Sequence, residues 1–173
     1  MFKSFIPFAH ATSLFEIDIE FFKKNGIKTL FIDLDNTLDS YRTKIPTERA
    51  KEMISNISKS GIEPIIISNN RGKRVKMYAD ALHVEYVNSA GKPFPFRINK
   101  AIKKRNLSKD EVMLVGDQII TDVLAGKNAH IRVILTEKIV KEDQPTTRIN
   151  RLFDRPIRKY HRKRGHLVDW RNL

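Results

Sequence analysis

The chain contains no cysteine. No disulfide can staple it and no thiolate zinc site can form, which suits a cytosolic protein. It also lacks any run of eighteen apolar residues, so no stretch reads as a bilayer-spanning helix. The apolar opening, Met1 to Phe8, is broken by Pro7, His10 and Glu16. That interruption leaves no room for a secretory core and cleavage site, and none is expected. Internal repeats and low-complexity stretches are absent. Histidines at metal-ligand spacing are absent too, and His161 and His166 read as surface residues. Acids are scarce relative to bases, 20 against 33, for a formal charge of +13. Such a surface gathers anions, whether nucleic acid, anionic lipid or a phosphorylated substrate.

What remains is a chain of 173 residues, 40% apolar and 31% charged. That is enough for one domain with a real core. The charge is concentrated at one end. Residues 148–173 hold nine Lys or Arg against Asp154 and Asp169, more than half of the net charge. We therefore divide the chain into a domain at 1–147, apolar leader included, and a basic C-terminal extension at 148–173.

Four short, nearly continuous apolar runs read as strands buried on both faces of a parallel sheet: 29–32, 64–67, 112–115 and 131–135. Residues 84–87 are a weaker fifth candidate. Helical spacing lies between them, from Thr47 to just before Gly61, over 73–82, after Pro95, and over about 121–128. Alternating strands and helices imply right-handed crossovers and a doubly wound, Rossmann-like α/β sheet flanked by helices. Ligands bind such sheets beyond the carboxyl ends of the strands.

The chemistry-bearing residues fall at those ends. The first run leads into Asp33-Leu34-Asp35-Asn36-Thr37. Two carboxylates that close repel each other unless a cation joins them, and Mg²⁺ accepts carboxylate and phosphate oxygens together. The second run ends in Ser68-Asn69-Asn70, a turn that can hold phosphoryl oxygens. Gly91-Lys92-Pro93 offers a lysine to neutralise a transferring phosphoryl group. The third run ends in Gly116-Asp117 and continues to Asp122, so Asp117 can complete a metal site. Asp122 can brace the loop or cap a helix.

In this order the four pieces resemble the haloacid dehalogenase superfamily of phosphatases over residues 28–135. The resemblance implies Asp33 as nucleophile and Asp35 as general acid, with Ser68, Asn69 and Lys92 on the phosphoryl group. It places Mg²⁺ on Asp33, Asp35 (through its backbone carbonyl) and Asp117, supported by Asp122. The gaps from Thr37 to Ser68 and from Asn70 to Lys92 are too short for a cap domain. The site should be open, suited to a phosphate on a large carrier or closed by a neighbouring subunit.

Taken whole, the chain resembles the capless bacterial phosphatases related to mitochondrial phosphatidylglycerophosphate phosphatase. That resemblance implies a membrane phospholipid substrate, dephosphorylated to phosphatidylglycerol at the inner face of the membrane. Phe2, Phe5, Ile6, Phe8, Leu14, Phe15, Phe21 and Phe22 lie near Lys23 and Lys24, a composition that binds lipid headgroups or packs on the sheet. Nucleic acid ranks second as partner, because the extension has few aromatics for base stacking. Competing readings are a phosphatase for nucleic-acid ends or small soluble esters, and a basic RNA- or ribosome-binding protein with a vestigial site.

Overall fold

In the computed structural model, residues 3–140 and 145–173 are described, at 145–149 by the backbone alone; Phe2 of the leader lies outside them. The strands are β1 (Ala9–Ala11), β2 (Thr29–Asp33), β3 (Glu63–Ile67), β4 (Glu85–Val87), β5 (Val112–Gly116) and β6 (Arg132–Thr136). They form one sheet in the order β1-β6-β5-β2-β3-β4, and every adjacent pair is parallel. The expected doubly wound sheet is present.

Alternation along the strands sends side chains to two cores. Leu30, Ile32, Ile66, Met113, Val115 and Ile134 face one side, with α1 (Ile19–Lys24), α2 (Glu48–Lys59) and α3 (Lys73–Leu82). Phe31, Ile65, Ile67, Val112, Leu114 and Val133 face the other, with α4 (Phe96–Lys104) and α5 (Leu124–Ala129). The central strands are therefore apolar at nearly every position, which is why they were legible as continuous runs. Thr47 caps α2 by accepting from the Ala50 amide, 3.2 Å away. Only a loop and α2 separate β2 from β3, and only α3, β4, α4 and a short 3₁₀ turn separate β3 from β5. No cap domain is inserted.

The leader goes into the core. Leu14 and Phe22 are wholly buried, Ile17 and Phe21 nearly so, and Phe8, Phe15 and Ile19 pack against them. A fully buried Leu or Phe contributes roughly 1.5–3 kcal/mol relative to exposure. Withdrawing these side chains to reach a lipid surface would cost a large part of the ordinary 5–15 kcal/mol of stability. The leader also supplies β1, which extends the sheet beyond β6.

Residues 148–173 form most of a long helix, α6 (Pro145–Lys163), and then return to the sheet edge. The His10 amide donates to the Val168 carbonyl at 2.7 Å, and Trp170 meets Phe21 edge to face. His161, expected at the surface, is buried against His166, their Nδ1 atoms 2.9 Å apart.

Glu137, just beyond β6, joins leader and helix by accepting from His10 at 2.9 Å and Arg162 at 2.6 Å and by pairing with Arg158 at 3.1 Å. The His10 hydrogen bond lowers its pKa most; burial opposes, and Arg158 and Arg162 add to the lowering, to about 2 from 4.5. A depressed folded-state pKa gives stability present above the unfolded value and lost as pH falls through the folded one. Glu137→Gln should therefore cost about 1 kcal/mol at pH 7, discounted because the carboxylate is part-exposed. The gap between wild type and variant in urea midpoint should close between pH 4.5 and about 2. A gap that persists at the acid end would contradict this role.

Candidate active site

Beyond the carboxyl ends of β2, β3 and β5 lies a pocket of about 340 Å³ lined by Asp33, Asp35, Ser68, Asn69, Asn70, Arg71, Lys92, Gln118, Thr121 and Asn150. The strand order explains it. β2 is central, with β3 and β5 on either side, so the residues leaving all three strands converge.

Asp33 is the last residue of β2 and is buried. Lys92 lies between Asp33 and Asp122, with Nζ 2.5 Å from Asp33 Oδ1 and 2.6 Å from Asp122 Oδ1. Its backbone is clamped by the Asn69 amide. The Lys92 N–H donates to Asn69 Oδ1 at 2.8 Å, and Asn69 Nδ2 donates back to the Lys92 carbonyl at 2.9 Å. Ser68 is buried at the end of β3, and its Oγ accepts from the Asn70 amide at 3.1 Å.

Asp35 lines the same pocket and faces a different set of partners. Arg74 donates to one of its oxygens at 2.7 Å and Asn70 to the other at 2.5 Å. Arg74 also donates to the Thr43 and Ser40 carbonyls, tying the loop after β2 to α3. Neither Arg74 nor Asn70 was singled out as a site residue in the sequence.

β5 ends at Gly116, and the chain turns through Asp117 into a five-residue π-helical turn, Ile119–Val123. Such turns recur at functional sites. Gly116 is required by close approach, since a Cβ there would lie 2.3 Å from Asp122 Cγ. Asp122 closes the turn by accepting from the Gln118 amide at 3.0 Å. Asp117 is fully buried. One of its carboxylate oxygens accepts from Arg151 of α6, and the other, Oδ1, has no hydrogen-bond partner among the described residues.

Among the described residues, Asp33, Asp117 and Asp122 bring carboxylate oxygens within 4.8 Å of one another. Burial pushes the Asp33 carboxyl well above the usual carboxylate range; Lys92 opposes this, and Asp122, Asp117 and Asp35 reinforce it. Burial raises Asp117 as well, against Arg151 and with Asp122. For Lys92 burial alone would lower the pKa, but Asp122 and Asp33 outweigh it and raise it. Three buried carboxylates thus converge, ion-paired with Lys92 and Arg151, while Arg158 also acts on Asp117. Repulsion among the carboxylates and an Asp117 oxygen without a partner among the described residues are what a hard divalent cation would relieve. The donor set fits Mg²⁺.

A family model described as haloacid dehalogenase-like hydrolase matches residues 2–136. The Bacillus subtilis protein named "probable phosphatase YqeG" is 32% identical over 97% of this chain and 97% of its own. Among solved structures, the 3-deoxy-D-manno-octulosonate 8-phosphate phosphatase of Yersinia pestis superposes with a TM-score of 0.52 at 14% identity, covering 69% of this chain and 76% of that one. The Moraxella catarrhalis phosphatase of the same name, solved with magnesium and phosphate ions and its sugar, gives 0.51 at 16% identity, covering 69% and 82%. At these identities the structures establish the shared fold.

Proposed function

The chain belongs to the haloacid dehalogenase-like hydrolases, and from that premise we propose that it is a Mg²⁺-dependent phosphatase working through a phosphoaspartate at Asp33. The observation that carries this reading is the buried cluster of Asp33, Asp117 and Asp122 with Lys92 at its centre. The full-length similarity to a protein named as a phosphatase supports it.

The chemistry follows from the residues. An Asp33 oxygen attacks phosphorus, the ester P–O bond breaks, and the departing oxygen takes a proton from Asp35. Water then attacks phosphorus while giving a proton to Asp35, which releases inorganic phosphate and restores the Asp33 carboxylate. Lys92 offsets the negative charge of nucleophile and phosphate, and Ser68 stands at the pocket to donate to a phosphoryl oxygen. Asn69 fixes Lys92, whereas Arg74 and Asn70 hold Asp35 in place. Asp33, Asp117 and the Asp35 carbonyl would hold Mg²⁺, with Asp122 beside them. When bound, the ion supplies charge neutralisation between the carboxylates and the phosphate.

Within this reading we infer phosphatidylglycerophosphate as the substrate, cleaved to phosphatidylglycerol. The support is an uncapped pocket and exposed apolar side chains that lie close in the chain to residues lining it. Phe94 and Phe96 stack on each other just beyond Lys92, 62% and 76% exposed. Leu152 and Phe153 follow Asn150, 71% and 57% exposed. Their exposure suits a substrate held in an apolar layer. The leader contributes nothing here, since it is core.

The test is phosphate release with and without Mg²⁺ from phosphatidylglycerophosphate in vesicles, a 5′-phosphorylated oligonucleotide, sugar phosphates and p-nitrophenyl phosphate at matched concentration. The lipid should lead. Phe94→Ser/Phe96→Ser should slow the vesicle reaction by about tenfold or more and leave p-nitrophenyl phosphate unchanged. Preference for the oligonucleotide or a soluble sugar phosphate would replace the lipid while leaving the phosphatase reading intact.

A further inference from the structure

The most unusual feature outside the reacting groups is the inward face of α6. At helical spacing it buries Arg151 and Asp154, with Arg158 half-buried one turn on. A helix docking for stability alone would bury apolar residues there, because a buried charge is costly unless its partners are arranged to receive it.

All three side chains reach the loop that carries Asp117. Arg151 donates through one nitrogen to the Asp117 carbonyl at 3.0 Å and through the other to Asp117 Oδ2. Arg158 donates to the same carbonyl at 2.7 Å and to the Thr136 carbonyl at 3.2 Å. Asp154 Oδ1 accepts from the Ile119 amide at 2.6 Å and the Ile120 amide at 3.1 Å. The loop is therefore held at its carbonyl, at its side chain and at two consecutive amides. Asp117 Oδ1 is left without a hydrogen bond among the described residues.

We propose that α6 is a positioning strap for the metal-binding loop, in which Arg151 turns Asp117 to present Oδ1 and Asp154 sets the backbone behind it. The proposal rests on the phosphatase reading only in taking Asp117 as a metal ligand. Outer partners that orient ligating groups commonly govern affinity. Arg151 is a cation beside the site, so a competing effect of opposite sign is built into the test. If its charge merely excluded a second cation, removing it would tighten binding. If it orients Asp117, removing it weakens binding.

The experiment titrates Mn²⁺ into the full chain, read by calorimetry and by the free-ion EPR signal, with no substrate present. Arg151→Ala and Asp154→Ala should each weaken binding by about 10–100-fold. Asp154→Asn keeps an acceptor oxygen for the two amides and should stay close to wild type, which separates loop geometry from net charge. Lys159→Ala, on the exposed side of the same helix, should change nothing. In turnover the strap variants should need more Mg²⁺ yet approach the wild-type kcat at saturation, a split that general loosening of the fold would not produce. Unchanged or tighter Mn²⁺ binding by Arg151→Ala, with Asp154→Ala also unchanged, would overturn the strap while the phosphatase reading stands. Failure of the wild type to bind Mn²⁺ or Mg²⁺ at all would overturn both.

Discussion

Asp33→Asn should lower Mg²⁺-dependent phosphate release by at least about 10³-fold, because it removes the attacking charge and keeps the shape. The fold should survive the change. Asp33 is buried among Asp35, Asp117 and Asp122, which raise its pKa against the opposing pull of Lys92. A neutral amide in that position relieves repulsion, so the melting temperature should stay within a few degrees of wild type. Asp35→Asn provides the contrast. It leaves the nucleophile intact, so its loss should be severe with an alkyl phosphate, whose leaving oxygen needs a proton, and mild with p-nitrophenyl phosphate. Equal losses on both substrates would remove Asp35 from the role of acid.

The second large effect concerns the metal. Asp117→Asn should weaken Mg²⁺ binding by more than the about 10–100-fold that loss of an outer partner costs. Stability reports this without any turnover. Magnesium at about 100 times its Kd should stabilise the wild type by roughly 2.7 kcal/mol. For a chain of this size that is a rise of roughly 5–10 °C in Tm. The variant should show almost none of that rise, and chelator should abolish wild-type activity until Mg²⁺ is restored. Equal Mg²⁺-induced shifts in wild type and variant would move the metal away from Asp117.

How much of this was legible in the sequence depended on the kind of signal each element carries. β2, β3, β5 and β6 are apolar at nearly every position because both faces are covered, and a continuous apolar run is hard to miss. β1 is Ala-His-Ala, too short for any period, and it forms only because β6 offers a free edge. The apolar leader could equally have faced lipid or core, and only the fold decided for core. α6 was hidden for a different reason. Its inward residues Arg151, Asp154 and Arg158 recur at three and four, a clear helical period, but they are charged, so the segment read as a basic extension. Periodicity of polar residues would have found it.

At the pocket, Asp33, Asp35, Ser68, Asn69 and Lys92 were marked by their position at strand ends, and all line one cavity. Asp117 and Asp122 were marked in the same way, and they join Asp33 in the carboxylate cluster. Asn150 reaches the pocket from a helix distant in sequence, and Arg74 reaches Asp35 from the first turn of α3, four residues beyond Asn70; nothing local marks either.

One measurement tests the central claim most directly. The enzyme is quenched during turnover with Mg²⁺ and substrate, reduced with borohydride, digested, and the peptide containing residue 33 is analysed by mass spectrometry. An acyl phosphate at Asp33 is reduced to homoserine at that position, and this product should appear only when Mg²⁺ and substrate are both present. Unmodified Asp33 in enzyme caught turning over, or homoserine at Asp35 or Asp117 instead, would contradict the account.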